Sequence, residues 1–156
     1  MSDDFEIKVL DIQDLPEALA LVWNVFLEFE APDYTDEGIQ EFKNFLEDDA
    51  IKKKITGGQF YMWTCSDNEK VVGVLMTRPP AHISLLFVDK HYHRKGIARS
   101  LFERMIESYG GKDIEITVNS SPYAKEVYHK LGFVDTDTEQ TVNGIRFIPM
   151  KFTIFP

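Results

Sequence analysis

Residues 82 to 110 constrain the fold of this chain more than any other stretch. His82-Ile83-Ser84-Leu85-Leu86-Phe87-Val88 is a nearly continuous apolar run, which is typical of a strand in the centre of a sheet. A hydrophilic turn follows, and Gly96 then opens a segment with apolar residues at helical spacing, which Gly110-Gly111 ends. The order strand, basic turn, helix predicts a sheet that is covered by helices.

Short-range patterns place the other strands and helices around this unit. Alternating or apolar runs predict strands at 5–10, 60–64, 70–76, 114–118, from Phe133 onward, and at 145–152. Helical spacing predicts helices at 15–29, at about 35–48, and from Pro122 to Gly132. Turn residues at 66–69 and at Asn143-Gly144 make antiparallel hairpins. The predicted fold class is therefore α/β, with a mixed sheet and antiparallel edges.

Length and charge narrow the class of protein. The 156 residues fit one domain, 1–156, and no apolar run approaches the roughly 20 residues that cross a membrane. A net charge of −9 disfavours a nucleic-acid partner, because phosphate binding needs clustered cations. Cys65 alone cannot form an internal disulfide, no Cys/His cluster has metal-ligand spacing, and the acidic Met1–Asp4 lacks a signal-peptide pattern. We therefore expect a cytoplasmic protein with no membrane span and no metal.

The charges are segregated along the chain. Residues 28–49 hold nine acids and one base, Lys43, whereas residues 90–104 hold five bases and one acid, Glu103. Each run is consistent with a solvated helix face. The functional interpretation is that the basic run meets an anionic ligand and the acidic run faces a cation.

The turn before Gly96 is suited to an anion. The first turn of a helix exposes unpaired N–H groups at the positive end of its dipole, so an anion meets several donors there. Gly96 lets the backbone approach such an anion, and the nearby Arg94, Lys95 and Arg99 add positive charge. The turn lacks both the G-x-G-x-x-G pattern and the G-x-x-x-x-G-K-[ST] phosphate loop. A nicotinamide cofactor is therefore not expected, and an ordinary capped loop is the alternative to phosphate binding.

Two motifs in this order resemble those of the GNAT N-acetyltransferase superfamily. Leu86-Phe87-Val88 followed by Tyr92-His93-Arg94-Lys95-Gly96-Ile97-Ala98 is similar to its cofactor motif, in which a strand ending in Val precedes Gln/Arg-x-x-Gly-x-Gly/Ala. Asn119-Ser120-Ser121-Pro122-Tyr123-Ala124 and Tyr128-His129-Lys130-Leu131-Gly132-Phe133 resemble its later motif. The resemblance covers about residues 58–153. It departs from the family pattern at His93, where Gln or Arg is usual.

The resemblance implies a fold, a cosubstrate and a set of ligand contacts. In a GNAT-like fold, a central mixed sheet flanked by about four helices splays two parallel strands, here 82–88 and 114–119. The pantetheine arm of acetyl-CoA would thread between them, and backbone amides of the turn would hold the pyrophosphate. The cofactor-binding residues implied are Phe87, Val88, His93, Arg94, Lys95, Gly96, Ile97, Ala98, Arg99, Asn119 and Ala124.

The resemblance also suggests which residues carry the chemistry. Tyr128 would be the general acid that protonates the departing thiolate, since a thiol has a pKa of about 8.5 and a phenol about 10. Counting eleven residues back from His93, to the position of a family Glu, gives His82 as the general base. A structural histidine is the other interpretation of His82. The other catalytic candidates for the base, near the expected acceptor side, are Glu28, Glu30 and Asp33.

The sequence thus predicts an acetyl-CoA-dependent N-acetyltransferase that acts on a primary amine. The acceptor is expected to be a small molecule or a peptide, and the acidic run favours a cationic one. Its choice would depend on the two N-terminal helices and on the hairpin at 138–146. The alternative function is a module that binds CoA without turnover and serves as a sensor or partner-binding subunit. A homodimer, common among similar enzymes, could form by pairing of the apolar C-terminal strand.

Overall fold

The computed structural model of the chain describes residues 5–47, 49–110 and 113–154. Met1–Asp4, Asp48 and Gly111, which entered the sequence-based predictions, lie outside these ranges. The strands are β1 (Phe5–Val9), β2 (Tyr61–Asp67), β3 (Lys70–Arg78), β4 (His82–Val88), β5 (Ile114–Ser120), β6 (Val134–Asp135), β7 (Gln140–Val142) and β8 (Ile145–Ile154). The helices are α1 (Leu15–Phe29), α2 (Asp36–Glu47), α3 (Asp49–Thr56), α4 (Ile97–Ser108) and α5 (Lys125–Leu131).

This architecture confirms the mixed α/β sheet, with one helix more than the sequence predicted. The additional helix is α3. It was not predicted because its Lys52-Lys53-Lys54 run is typical of a solvated surface segment. The three lysines are indeed exposed, but Ile51 in the same helix is buried at 3% exposure. None of the described helices is long and apolar enough to span a membrane.

The sheet has the strand order β1-β2-β3-β4-β5-β8-β6, with β7 paired to β8. Neighbouring strands are antiparallel, except that β4 and β5 are parallel. This parallel pairing is short, since it comprises only His82 with Thr117 and Ile83 with Val118. Strand β4 thus lies at the centre of the sheet, as its apolar sequence predicts, and joins two halves of it.

A β-bulge marks the place where the sheet opens. The register between β3 and β4 shifts at Met76/Thr77, which leaves Ser84 of β4 without a partner in β3. Bulges bend a strand and interrupt its pairing. Beyond the bulge β4 stays with β3, while β5 stays with β8 to its last residue, Ser120. The predicted splaying of the two parallel strands is confirmed, and a gap separates residues 84–88 from the end of β5.

Apolar side chains cover both faces of the sheet. On one face α4 and α5 pack on a buried cluster that includes Leu101, Met105 and Ile116. On the other face α1, α2 and α3 pack on a second cluster. The aromatic residues of α1 and α2, whose helical spacing is typical of core residues, all lie in or against this second cluster, namely Trp23, Phe26, Phe29, Phe42 and Phe45. Helices thus shield both sides of the strands that border the gap.

The C-terminal strand is paired along both of its edges. Strand β8 pairs with β5 over residues 148–154 on one side, and with β7 and β6 on the other. The preceding turn has two left-handed residues, Asn143 with φ 53° and Gly144 with φ 80°, which confirms the predicted tight hairpin. Little of β8 is therefore left to pair across the interface of a homodimer.

The single cysteine lies inside the sheet. Cys65 is a fully buried residue of β2. Burial, with a smaller contribution from Asp67, raises the pKa of its thiol to about 11. The reactive thiolate is therefore scarce at neutral pH.

Candidate active site

Helix α4 begins at a turn with two left-handed residues. Arg94 has φ 64°, and Gly96, the N-cap of the helix, has φ 79°. Gly96 has no side chain to cap the helix, and the Ser100 N–H donates to its carbonyl at 3.0 Å. The N–H groups of residues 97–99 are the ones that a helix start leaves without intrahelical partners. They lie at the positive end of the helix dipole, where an anion is stabilised.

Open space lies in front of this turn. A Cβ on Gly96 would meet no described protein atom within 4 Å, so packing within the protein does not explain the glycine. The glycine instead allows the left-handed backbone and leaves room for a ligand to approach the amides. Both features fit the sequence-based assignment of an anion site.

His93 connects the turn to the rest of the fold. Its Nε2 lies 2.8 Å from the Val88 carbonyl oxygen at the end of β4. Because a carbonyl only accepts, this nitrogen carries the hydrogen. The ring also packs against Phe29 of α1, with centroids 5.6 Å apart. His93, which stands where Gln or Arg is usual, therefore fixes the turn to the ends of β4 and α1.

A cavity of about 560 Å³ extends from this turn towards α5. Eleven of the predicted cofactor-binding or catalytic residues line it, namely Glu30, Phe87, Val88, His93, Arg94, Gly96, Ile97, Ala98, Arg99, Ala124 and Tyr128. Arg99 donates to the Lys130 carbonyl at 2.8 Å, which ties the start of α4 to α5. Lys95 is exposed and lies outside this lining.

A smaller cavity of about 160 Å³ lies at the opposite end of the gap. Asn119, the predicted partner of the pantetheine arm, lines this second cavity together with Ser84 at the bulge. The residues that line both cavities are Glu30, Leu86, Phe87, Ala124 and Tyr128. The two cavities therefore meet at the gap between β4 and β5.

Tyr128 lies where the two cavities meet. Its side chain is 5% exposed, and its ring packs edge-on against Phe133 with centroids 5.4 Å apart. Burial, and to a smaller extent the nearby Glu30 and Tyr34, raises the pKa of the Tyr128 phenol well above its usual value. The hydroxyl is therefore fully protonated at any working pH.

Glu30 is the buried acid of this site. It follows the last residue of α1, and its N–H still donates to the Phe26 carbonyl at 2.9 Å. The residue is 9% exposed. Burial raises the pKa of the Glu30 carboxyl to about 7, while the Ser121 hydroxyl lowers it and Asp33 raises it. The carboxyl thus changes charge near neutral pH.

The other predicted base candidates lie elsewhere. His82 is at the paired end of β4, where its Nδ1 lies 2.8 Å from the Thr117 hydroxyl. Burial, and then Arg78, lowers the pKa of His82 to about 4. Glu28 forms an exposed ion pair with Lys90 at 3.1 Å. Neither His82 nor Glu28 lines either cavity, so the structure brings Glu30, and not these two residues, next to Tyr128.

The comparison with known families decides the identity of this arrangement. Residues 30–154 match the family model described as "Acetyltransferase (GNAT) domain". The chain belongs to the GNAT acetyltransferase family. The match spans the turn before α4, the split parallel strands and the Asn119–Phe133 segment, on which the resemblance rests.

Relatives of this GNAT domain include one curated bacterial protein and two solved structures. Over 88 residues the chain is 32% identical to the "Uncharacterized N-acetyltransferase YafP" of Escherichia coli (strain K12), a match that covers 56% of the chain and 54% of the relative. A GCN5-related N-acetyltransferase from Rhodopseudomonas palustris superposes with a TM-score of 0.80 at 20% identity, over 95% of this chain and 94% of that one. The PaiA N-acetyltransferase from Thermoplasma acidophilum, in complex with coenzyme A, superposes with a TM-score of 0.76 at 19% identity, over 96% and 98%. The chain thus spans about half the length of the curated relative, and the two structures establish the fold.

Aromatic residues line the two cavities, and of these Phe42 lies at a helical spacing typical of core residues, whereas no sequence pattern singles out Tyr34. Tyr34 and Phe42 line the smaller cavity, and Tyr123, on the larger cavity, stacks on Phe29 with centroids 4.9 Å apart. Tyr34 follows the 3-10 turn Ala31–Asp33, whose Pro32 is the sequence signal for the end of α1. No pattern in the sequence places these rings at the gap, because their positions depend on long-range packing.

A hairpin closes the end of the smaller cavity in this GNAT fold. The Thr35 N–H donates to the Gly144 carbonyl at 3.3 Å, and Ile145 lines the cavity. Backbone atoms of Gly144 lie against Gly38 near the start of α2. The hairpin and α2 therefore form one wall of this cavity.

Replacing Gly144 by alanine is expected to lower the free energy of unfolding by about 3 kcal/mol. Alanine is strained at φ 80°, and its Cβ would clash with the Thr35 hydroxyl and the Gly38 backbone. Gly58→Ala is the matched control, since Gly58 has φ 76° and a Cβ there meets no described atom within 4 Å. Denaturant unfolding should show a loss of only about 1 kcal/mol for the control. Equal losses in both variants would mean that the hairpin contact contributes nothing.

Proposed function

We propose that this chain transfers an acetyl group from acetyl-CoA to a primary amine, by direct attack of the amine on the thioester. The observation that carries the proposal is the meeting of two cavities at the gap between β4 and β5. The larger cavity reaches the anion-suited turn, and Tyr128 and Glu30 line both cavities. An amine that enters from the smaller cavity would meet a thioester from the larger one beside these two side chains.

The residues around the larger cavity fit acetyl-CoA. When bound, acetyl-CoA supplies the acyl thioester that is cleaved in the reaction. The turn from Arg94 to Ala98 would hold the pyrophosphate through its backbone amides, with Arg94 adding charge. The edges of β4 and β5 that face the gap carry peptide groups that could bind the amides of the pantetheine arm. Asn119 would add a side-chain partner at the far end of the gap.

Tyr128 would act as the general acid. Its phenol is protonated, and it lies where the thioester sulfur would leave. A thiolate that forms in the same buried space is desolvated as well, so its own pKa rises together with that of the phenol. Proton transfer depends on the difference between the pKa of the Tyr128 phenol and the pKa of the leaving thiol. Because burial raises both, this difference is much smaller than the raised pKa of Tyr128 alone would suggest.

The size of the smaller cavity bears on the acceptor. About 160 Å³ admits an amino group on a slender stem, as in a small alkylamine, a lysine side chain or a peptide N-terminus. Acidic residues around the end of α1 favour a cationic acceptor over an anionic one. A small-molecule or peptide amine is therefore the acceptor class that we propose.

Calorimetry with CoA and a screen for released CoA thiol test this function together. We expect CoA to bind, and at least one primary amine to release thiol from acetyl-CoA. Binding of CoA without thiol release across a broad amine panel would favour the module that binds without turnover. Absence of CoA binding would exclude both functions.

Replacing Gly96 by alanine is expected to weaken CoA binding about tenfold. Alanine is disfavoured at φ 79° by about 1–2 kcal/mol, and 1.4 kcal/mol corresponds to a tenfold change in Kd. With alanine the free turn relaxes away from the left-handed conformation, and CoA binding must restore that conformation at this cost. The alanine Cβ would also point into space that is free of described protein atoms, where the phosphate would approach. Calorimetric titration with CoA measures the change, and Gly58→Ala, with the same backbone strain, should leave the Kd unaltered. An unchanged Kd in Gly96→Ala would remove the turn from the CoA site.

A further inference from the structure

We propose that Glu30 binds the ammonium group of the acceptor in the smaller cavity and takes its proton before the amine attacks the thioester. This inference rests on the proposed acetyl transfer and deepens it. It assigns the base to Glu30 rather than to His82 or Glu28, and it makes the acceptor a primary amine with an unbranched stem.

The position of Glu30 supports this role. The chain leaves α1 after Phe29 and enters the 3-10 turn Ala31–Asp33, which places Glu30 at the gap. Glu30 and Tyr128 line both cavities, so one carboxyl and one phenol border the same reaction space. A base must lie within reach of the amine, and an acid within reach of the sulfur.

Glu30 has no cationic partner among the described residues. The described ion pairs that involve acids of this region join Glu28 to Lys90 and Asp33 to Arg146. A carboxylate that is nine-tenths buried without a counter-charge is costly. A ligand ammonium in the adjoining cavity would supply the missing charge.

The groups that face Glu30 come from several elements of the fold. Asp33 and Tyr34 approach it from the 3-10 turn and the residue that follows, Ser121 and Tyr123 from the loop after β5, and Tyr128 from α5. Among the described residues Ser121 stabilises the carboxylate, and Arg146 of β8 acts on Tyr34, on the half-buried Asp33 and on the exposed Glu139. The surroundings therefore repel a negative charge more than they attract it.

This environment favours proton transfer from an ammonium to Glu30. Burial disfavours the charged forms of both partners, so the neutral pair of amine and carboxylic acid is easier to reach there than in water. Burial also places the pKa of the carboxyl at about 7, close to the working pH that suits a general base. Near neutral pH a large fraction of the free enzyme thus carries the carboxylate.

The protons and bonds of the transfer balance with these two residues. Glu30 accepts one proton from the ammonium, and the freed nitrogen lone pair forms the C–N bond to the thioester carbonyl carbon. Tyr128 donates its proton to the sulfur as the C–S bond breaks. The phenolate then recovers a proton from the new amide nitrogen, and Glu30 releases its own to water. One proton is released per turnover, with no further reactant.

The walls of the smaller cavity set the class of amine. Apolar side chains, among them Phe42 and Ile145, border it together with the single carboxyl and with polar groups such as Ser84 and Ser121. A site of about 160 Å³ holds a short stem and one ammonium, and has little room for a branch next to nitrogen. Unbranched alkylamines are therefore suitable probes.

A comparison of two amines tests the role of Glu30. In n-butylamine the nitrogen arrives as an ammonium, whereas trifluoroethylamine is largely uncharged at pH 8 and needs no base before attack. In Glu30→Gln we expect kcat/KM for n-butylamine to fall about 100-fold, with little change for trifluoroethylamine. The wild-type kcat/KM should rise and level off above about pH 7, whereas that of the variant should lack this inflection and rise steadily with the fraction of free amine. Titration of the CoA-saturated protein with n-butylammonium chloride should show binding in the wild type and a marked loss in the variant.

Glu41→Gln is the matched control for Glu30→Gln. It changes an exposed acid of α2, and should behave as the wild type with both amines. The inference is overturned if Glu30→Gln loses the same factor with both amines, or keeps the wild-type pH profile, while binding CoA normally. Loss of activity in Glu28→Gln or His82→Ala, with Glu30→Gln active, would assign the base to those residues. If the wild type binds CoA but acetylates neither of the two amines nor the C2–C6 homologues of n-butylamine, the proposed acetyl transfer fails as well. If the wild type acetylates an amine and only the expectations for Glu30→Gln fail, the role of Glu30 alone is rejected.

Discussion

Replacing Tyr128 by phenylalanine is expected to lower kcat by about 10²- to 10⁴-fold, the range that a positioned general acid contributes. The hydroxyl is the group at the meeting of the two cavities that can protonate the leaving sulfur. Affinity for CoA should hardly change, because the proposed pyrophosphate contacts lie at the Arg94–Ala98 turn and the ring remains in place. Steady-state rates of thiol release between pH 6 and 9, together with calorimetry, measure both quantities.

Folding stability separates this effect from a structural one. No described residue hydrogen-bonds to the Tyr128 hydroxyl, so its removal should leave the free energy of unfolding unchanged or slightly higher. The control is Tyr109→Phe, which removes a hydroxyl that donates to Thr77 at 3.3 Å, away from both cavities. It should keep kcat. An unchanged kcat in Tyr128→Phe at every pH would remove Tyr128 from the mechanism.

The strand-turn-helix unit and the later motif could be predicted because their signals are local. The apolar run of β4, the glycine at the start of α4 and the Asn119 and Tyr128 positions each lie within one element and its adjoining turn. Periodicity and turn chemistry specify such units without knowledge of distant contacts. The order of the two motifs then predicts that the proposed CoA turn and the general-acid candidate follow neighbouring strands of one sheet.

The base could not be chosen from the sequence, because three acids lie within six residues of one another. Glu28 and Glu30 are two positions apart, which on a helix corresponds to about 200° of rotation. One carboxylate therefore reaches Lys90 at the surface, while the other turns inward. Which of them points to the gap depends on where α1 ends and on its packing against the sheet.

The position of His82 relative to the gap could not be predicted from the sequence either. Counting along the chain gives a position on β4, but the bulge at Ser84 determines where that strand leaves β5. His82 lies before the bulge, in the two-residue stretch that is still paired. A bulge has no reliable signal in a continuous apolar run, so the distance between His82 and the gap follows only from the three-dimensional register.

A buried acid that serves catalysis should weaken the fold, and Glu30→Gln is expected to be more stable than the wild type at alkaline pH. The Glu30 carboxyl has a pKa of about 7 in the folded chain, against an ordinary value of 4.5. Between these values the folded state binds more protons than the unfolded one, so the stability of the wild type falls as the pH rises through that window. The total loss is about 3 kcal/mol. Glutamine, which does not titrate, avoids it.

Thermal unfolding of the ligand-free proteins at pH 5 and pH 8 measures this difference. The advantage of Glu30→Gln in Tm should be small at pH 5 and reach roughly 6–12 °C at pH 8, since about 1 kcal/mol corresponds to 2–4 °C in a chain of this length. Glu41→Gln should show no such pH dependence, because its carboxyl is exposed in both states. If Glu30→Gln gains stability and loses turnover of n-butylamine, the buried carboxyl lowers the stability of the fold and is required for activity. If the advantage were the same at both pH values, the carboxyl would not titrate in this window, and Glu30 would lack the property that makes it suitable as the proton acceptor.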